Sequence, residues 1–491
     1  MTTAGSNGPV GDNERDALFA SLATFPVIVL AVSGGPDSTA LLHLVHGWSR
    51  NQGRAPDSVV AVTVDHGLRP EARAEADEVA RQADALGIAH RIVRWDGPRP
   101  TSGLQAAARA ARYRLLSEIA QEGLAGLDAD ARAAIVTAHT ADDQAETFLM
   151  RLARGSGVDG LASIPPYGSP AIEGQEADRT TIKLLRPFLG IARRRLLATL
   201  AARSIPFSDD PSNRDRRFER VRVREALEVL ETLGVTREAL QRSARRLQLA
   251  RETLERAANE LEARAVTSIA GLVYQIDLAS LSDASRETAV RIFRRVLAEA
   301  GGAAPAAELD AVETAVTRLL AGSDVPTFTL GGCLIEIATE NGSSRAVVRV
   351  CREPDRGGGL PSIVIAPGET ACWDRRFHAS VSETHPRPVN VGPLGADWKV
   401  LLTEFPALDR LRLPPAAARG MPAFRENGKL LAVPTLAVLL GNIGERDAAS
   451  ILAGPIGQAR NGLFAPVLSL RRVQPAKQDR KWSERSKNPA R

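Results

Sequence analysis

The sequence predicts an α/β protein whose N-terminal half is a doubly wound parallel sheet, followed by a helical linker and two small C-terminal domains. Three observations carry this reading. Between residue 27 and about residue 215, short apolar runs alternate with longer segments of helical period, as strands joined by crossover helices do. The chain has 491 residues, more than one core supports, which calls for roughly two to four domains. Beyond residue 265 the alternation gives way to short apolar runs punctuated by turn residues.

Residues 1–24 are polar at their start and are expected to be disordered. Val27–Val32, Val59–Val64, His90–Trp95 and Ile135–Ala138 are the expected strands, with helices over Glu71–Leu86 and Leu104–Glu122 between them. This first domain is expected over 25–215. From about Arg216 to Ala265, Leu240, Leu247, Leu254 and Leu261 recur every seven residues with Ala244, Ala250, Ala257 and Ala258 between them, which predicts one long amphipathic helix. The stripe spans too few heptads to favour a dimer seam over packing within the chain. That helix opens a linker and first C-terminal domain over 216–355, where Cys333–Ile337 and Ala346–Val350 read as a hairpin through Asn341-Gly342. Pro354–Gly359 is a short glycine-rich linker, and 360–445 reads as a small, mostly β domain. The remainder, 446–491, is expected to be a disordered tail.

Composition narrows the class. An apolar share of 44% with 25% charged residues is that of an ordinary globular protein. No uncharged apolar run approaches the roughly 20 residues that cross a bilayer, and the start is no signal peptide, so a cytoplasmic protein is expected. Cys333, Cys351 and Cys372 are widely spaced, which excludes a disulfide framework and a four-thiolate metal site. The net charge is +5, but from Arg471 to the end eight Lys/Arg face only Asp479 and Glu484. The tail therefore holds the basic excess and could bind nucleic acid or merely be solvated.

The hexapeptide Ser33-Gly34-Gly35-Pro36-Asp37-Ser38 joins the first expected strand to a helical stretch. Two glycines permit a tight turn with N–H groups pointing inward, the helix N-terminus adds partial positive charge, and two serine hydroxyls can bond phosphate oxygens. The string G-x-x-x-x-G-K-S/T is absent, so the loop suits pyrophosphate held as a leaving group better than transfer of a terminal phosphate. A plain strand-to-helix connection is the competing reading. In its context the hexapeptide resembles the signature of the PP-loop (N-type) ATP pyrophosphatases, a Rossmann-like group that cleaves ATP between its α- and β-phosphates.

Other candidates stand at the same sheet edge. Asp65 and His66 end the second strand, followed by Gly67 and by Arg69, which can reach a phosphate; a solvated surface turn is equally consistent. His139, Asp143 and Glu146 have spacings that share a helix face, and an imidazole with two carboxylates suits a cationic substrate, a Mg²⁺ ion or proton removal from an amine. Acidic residues at a helix N-terminus would explain Asp142 and Asp143 but not Glu146. Gly155-Ser156-Gly157-Val158-Asp159-Gly160 matches G-x-G-x-x-G, yet it follows a helical run rather than a strand, so Gly155 reads as a helix C-cap. Arginines gather at Arg186, Arg193–Arg195, Arg214–Arg217 and Arg220–Arg224, as phosphate binding or a solvated helix face would have it.

Taken in order, Asp65-His66-Gly67-Leu68-Arg69-Pro70, Gln105 with Ala108-Arg109 and Arg112-Tyr113, His139 to Thr147, Arg154-Gly155-Ser156-Gly157, and Asp210-Pro211-Ser212-Asn213 before Arg220 resemble the tRNA(Ile)-lysidine synthetase family over residues 25–225. The C-terminal half is similar chiefly at Met421–Arg425 and the following Leu430–Pro434. Val221 departs from the asparagine expected after the arginine. The resemblance implies ATP as substrate, Mg²⁺, free L-lysine and an isoleucine tRNA with a CAU anticodon as partners, and no membrane. It implies ATP contacts from Ser33, Gly34, Gly35, Pro36, Asp37, Ser38, Asp65 and His66, with Asp37 helping to hold Mg²⁺-pyrophosphate. Asp143 and Glu146 would receive the lysine ammonium, His139 would lie near the reacting phosphate, and Arg112 and Arg220 would stabilise negative charge. The C-terminal domains would hold the tRNA body. Oligomeric state stays open, a homo-oligomer included. Three other readings share the loop: a tRNA cytidine thiolase, which needs cysteines near the site although none precedes Cys333; an amidating ligase, which needs an ammonia source; and a nucleotide-sensing module without catalysis.

Overall fold

The computed structural model describes residues 7–67, 72–97, 100, 103–128, 130–170, 181–208, 216–217, 219–302, 304–322, 325–339, 344–354, 359–441 and 468–472. The chain divides into two compact units, Met1–Glu252 and Thr253–Arg491. The first begins with α1 (Asp12–Phe19) and a 3-10 turn, then runs β1 (Val27–Ala31), α2 (Pro36–Asn51), β2 (Val59–Asp65), α3 (Ala72–Ala85), β3 (Ala89–Arg94), α4 (Leu104–Leu124), β4 (Ala133–Val136) and α5 (Ala141–Ala153). The short α6 (Val158–Leu161) and β5 (Tyr167–Gly168) precede β6 (Ile182–Leu185), α7 (Arg193–Ala202) and α8 (Glu219–Thr232).

These strands form one sheet in the order β3-β2-β1-β4-β6-β5. All pair in parallel except the edge strand β5, which runs antiparallel to β6. The expected α/β class and parallel sheet are observed, with β5 and β6 as additions. Ile28, Val29 and Leu30 of β1 are fully buried, as an unbroken apolar run covered on both faces must be. One face packs on α4 through Tyr113, Leu116 and Ile119.

The expectation of a disordered N-terminus over 1–24 is corrected for its described part. Phe19 is fully buried, its ring 6.2 Å from that of Trp48 and 5.9 Å from that of Phe188. The Val10 N–H donates to Thr199 Oγ1 at 2.9 Å, and Arg195 pairs with Glu14 at 2.7 Å. A few apolar anchors in a polar segment suffice to dock it.

The single helix expected over 216–265 is two. Gly234 takes φ +86° and closes α8, with the Val235 N–H donating to the Leu230 carbonyl, before α9 (Arg237–Ala265) begins. The leucine stripe of α9 is a core face in both units. Leu240 and Ala244 pack with Ala145, Phe148 and Leu227, whereas Ala258, Leu261 and Ala265 join Tyr274 and Phe293.

The second unit continues through β7 (Val266–Ile269), β8 (Val273–Asp277), α10 (Leu278–Ser282), α11 (Arg286–Gly301), α12 (Leu309–Leu320), β9 (Phe328–Leu330), β10 (Cys333–Thr339) and β11 (Ala346–Arg352), with sheet order β7-β8-β11-β10-β9. β10 and β11 pair antiparallel, as the hairpin reading requires; Asn341-Gly342 lies outside the described residues. There follow β12 (Ile363–Ile365), β13 (Thr370–Trp373), β14 (Phe377–Val381), β15 (Val389–Pro393), α13 (Asp397–Glu404), α14 (Pro415–Arg419), β16 (Pro422–Glu426), β17 (Lys429–Ala432) and α15 (Pro434–Gly441). Within the tail expected to be disordered, Leu468–Arg472 forms β18, which pairs with β14 because that edge offers unpaired backbone groups. The rest of the tail lies outside the described residues.

Candidate active site

Strand order reverses at β1, with β2 and β3 to one side and β4 and β6 to the other. Connections leave such a switch point in opposite directions and open a crevice at the carboxyl ends of the strands. A cavity of about 510 Å³ lies there, walled by the loops after β1, β2 and β4 and by side chains of α3, α4, α7 and α8.

The loop after β1 builds the floor. Gly34 takes φ +87°, a conformation that disfavours any side chain, and its carbonyl accepts the Ser208 N–H at 2.9 Å. Pro36 occupies the first turn of α2, where its missing N–H costs nothing. Ser38 Oγ donates to the Gly35 carbonyl at 3.0 Å and accepts the Ser33 N–H at 3.1 Å, which ties the loop into a ring around the helix N-terminus. Asp37 stands in that first turn with Arg193 Nε 3.7 Å from its Oδ2, while Oδ1 is buried without a hydrogen-bond partner. Burial raises its pKa to about 7; Arg193 opposes the shift, and Asp143 and Asp142 add to it.

The loop after β2 places Asp65 and His66. Asp65 Oδ1 accepts the Gly67 N–H at 2.7 Å, and the His66 ring stands edge-on to Trp95 at 5.9 Å. Burial, with Arg112 nearby, lowers the His66 pKa and keeps the ring neutral at pH 7. Arg69 lies outside the described residues.

The loop after β4 places His139 ahead of α5 rather than on it. Its Nδ1 is 2.9 Å from Thr137 Oγ1. Burial lowers its pKa to about 3; Asp143 opposes this, while Arg186, Arg112 and Arg109 reinforce it. Asp143 serves its own helix, its Oδ2 accepting the Thr140 N–H at 2.8 Å in a capping box. It nevertheless lines the cavity. Glu146 does not: it is buried and accepts from Arg224 Nε at 2.5 Å. The expectation that His139, Asp143 and Glu146 share one open helix face is thereby corrected, because the first precedes the helix and the third turns inward beneath Arg224. Burial raises the Glu146 pKa in spite of that partner.

Of the sequence-predicted residues, Ser33, Gly35, Pro36, Asp37, Ser38, Asp65, His66, Arg112, His139, Asp143 and Arg220 line the cavity, while Gly34 supports the loop from behind. Arg220 does so although Val221, where an asparagine was expected, is buried. Arg109, Arg193 and Arg224 also line the cavity and were not singled out. The basic clusters held Arg193 and Arg224, and the string Ala108-Arg109 held Arg109, without saying which members face inward. Arg112 and Arg109 lie over the Tyr113 ring at 5.3 and 5.1 Å, and Arg112 Nε is buried without a hydrogen-bond partner. The N-terminus of α2, the Ser33 and Ser38 hydroxyls and these arginines make a receptor for a polyanion, with an unpartnered carboxylate oxygen inside it.

Gly155 closes α5 at φ +69°, its N–H donating to the Leu152 carbonyl and that of Ser156 to the Arg151 carbonyl, so the G-x-G-x-x-G string is a helix end. Among the described residues no helix is long and apolar enough to cross a membrane.

Comparison with known proteins bears on this geometry. Residues 12–231 match the PP-loop domain family. The tRNA(Ile)-lysidine synthase of Bradyrhizobium diazoefficiens is 38% identical over 373 residues, covering 72% of this chain and 98% of that one. This chain belongs to the tRNA(Ile)-lysidine synthase family. The synthase of Rhodopseudomonas palustris is 48% identical over 246 residues, half of this chain and 66% of its own. That of Brucella suis is 34% identical over 419 residues, covering 83% of this chain and 86% of its own, so family similarity extends well into the second unit.

Proposed function

We propose that this chain ligates free L-lysine to C2 of the wobble cytidine of an isoleucine tRNA with a CAU anticodon, in the cytoplasm, using ATP. The observation that carries the proposal is the cavity at the β1/β4 switch point, where the loop Ser33–Ser38, an arginine wall and the Asp143 carboxylate face one space.

In the first step the cytosine O2 attacks the α-phosphorus of ATP, and the bond to pyrophosphate breaks. The loop N–H groups and the Ser33 and Ser38 hydroxyls hold the departing pyrophosphate, while Arg112 and Arg220 stabilise charge on the α-phosphate. In the second step the lysine nitrogen attacks C2, the C2–O bond breaks, and AMP leaves with the oxygen. A lysine ammonium must first lose a proton, and Glu146, whose pKa is raised by burial, is suited to take it while Asp143 holds the amine. His139 is neutral and therefore acts as a hydrogen-bonding group, not as a counter-charge. Among the described residues no three His, Cys, Asp or Glu side chains gather to cage a metal. The lone open carboxylate oxygen of Asp37 fits Mg²⁺ held chiefly by phosphate oxygens, and such an ion would neutralise charge on the leaving pyrophosphate. The C-terminal sheets are proposed to hold the tRNA body.

A thiolase reading is disfavoured because no cysteine precedes Cys333. The test is incubation of the purified chain with ATP, Mg²⁺, labelled lysine and the CAU tRNA. Label in the tRNA, with stoichiometric AMP and pyrophosphate, is expected. Absence of label overturns the proposal, and exchange of ATP with pyrophosphate that ignores tRNA favours an amidating ligase.

A further inference from the structure

Arg224 lines the cavity, yet it is bonded away from it. Its Nε donates to Glu146 Oε1 at 2.5 Å, and Glu146 is only 3% exposed. The second oxygen of that carboxylate, Oε2, is buried without a hydrogen-bond partner. Asp143, the other acid of this corner, is engaged with the backbone and hydroxyl of Thr140. The corner therefore holds one cation through one nitrogen and keeps an acceptor in reserve. The Arg224 side chain is 31% exposed, so its guanidinium can leave without disturbing the core. An ammonium arriving at the reserve oxygen would meet the guanidinium's charge at short range, so each weakens the other's hold on Glu146 and the two compete for it.

We infer that Arg224 is an internal stand-in for the ammonium of the amine substrate: it fills the acidic corner of the free enzyme, is displaced when that amine binds Glu146, and then turns into the cavity toward the phosphates. The inference rests on the lysine reading above. Its consequence is an ordered site. Until the amine arrives, a guanidinium that would stabilise the departing AMP is withheld, which protects an activated cytidine from attack by water.

The test compares lysine binding by calorimetry and lysidine formation in the full-length wild type, Arg224→Gln and Arg224→Lys. Removing the competing cation in Arg224→Gln is expected to tighten lysine binding roughly tenfold, the usual size of a coupling between binding events. KM for lysine should fall and kcat should fall with it. Arg224→Lys, which retains a cation, should bind lysine within about twofold of wild type, since the competition persists. Lysine binding that is unchanged or weaker in Arg224→Gln overturns the inference, and is also what a purely structural ion pair predicts. Should that variant not fold, phenylglyoxal labelling of the wild type, read by peptide mass spectrometry, decides. Lysine should make Arg224 more reactive, and unchanged or reduced labelling overturns the inference. A wild type that incorporates lysine while either test fails leaves the proposed reaction standing without the stand-in. A wild type that neither binds nor incorporates lysine overturns both.

Discussion

Two aspartates, one in each unit, are held in opposite ways. Asp37 has one oxygen without a partner and a second 3.7 Å from Arg193, and its pKa is raised to about 7. Asp374 is 3% exposed, bonds Arg376 at 2.7 Å and Arg352 at 3.2 Å, and sits on a tight turn where it and Arg375 take φ of +48° and +52°. Gly302 lies directly against this turn, so that even a Cβ there would meet the Asp374 carbonyl at 2.2 Å. A buried charge whose needs are met inside the chain is part of the architecture. One whose needs are unmet costs stability and points to something from outside.

Breaking each aspartate separates these roles. Asp37→Asn is expected to lower kcat/KM for the proposed lysine ligation by roughly 10²- to 10³-fold, as loss of a group acting on developing charge does. The same variant should unfold at higher urea by about 1–3 kcal/mol at pH 8, because the raised pKa means that the ionised carboxylate opposes folding above pH 7. A lower urea midpoint would mean that Asp37 is structural. Asp374→Ala should behave inversely, losing about 3–5 kcal/mol through two arginines left without their acceptor. An unchanged midpoint in urea would deny the pairing its role.

Glu299 tests the intermediate case. Burial and Glu262 raise its pKa to about 7 against the pull of Arg295. In the folded chain it holds a proton that the unfolded chain releases above its ordinary pKa of 4.5, so its contribution to stability declines from about pH 4.5 to about 7. Glu299→Gln should flatten that decline and gain ~1–2 kcal/mol at pH 8 relative to wild type, with no gain at pH 4. The smallest effect concerns the thiols. Cys333 and Cys351 are pushed up to about 12 by burial, whereas Cys372 is exposed. Iodoacetamide at pH 8 should therefore label Cys372 in the native chain and reach the other two only after unfolding. Native labelling of Cys351 would show that the second unit opens more readily than its paired charges imply.

How much of this was legible beforehand follows from the range of each interaction. The Ser33–Ser38 turn, the β2 and β4 loop residues and the helix end at Gly155 are decided within a few residues, by apolar runs, glycines and capping side chains. Those signals survive in a bare sequence. The docking of residues 7–24 was not legible, since Val10 and Phe19 find Thr199 and Phe188 far along the chain. Likewise the break at Gly234 was hidden by a leucine stripe that begins only after it.

By itself, then, the sequence determined the α/β class, the switch-point loops and the chemistry gathered there, because strand and helix periodicity and turn chemistry are local properties. Only the tertiary structure decided which arginines of the basic clusters enter the cavity and that Glu146 faces Arg224 instead of open space. The partners of that ion pair are 78 residues apart, and packing of α8 on α5, not any spacing within either helix, brings them together.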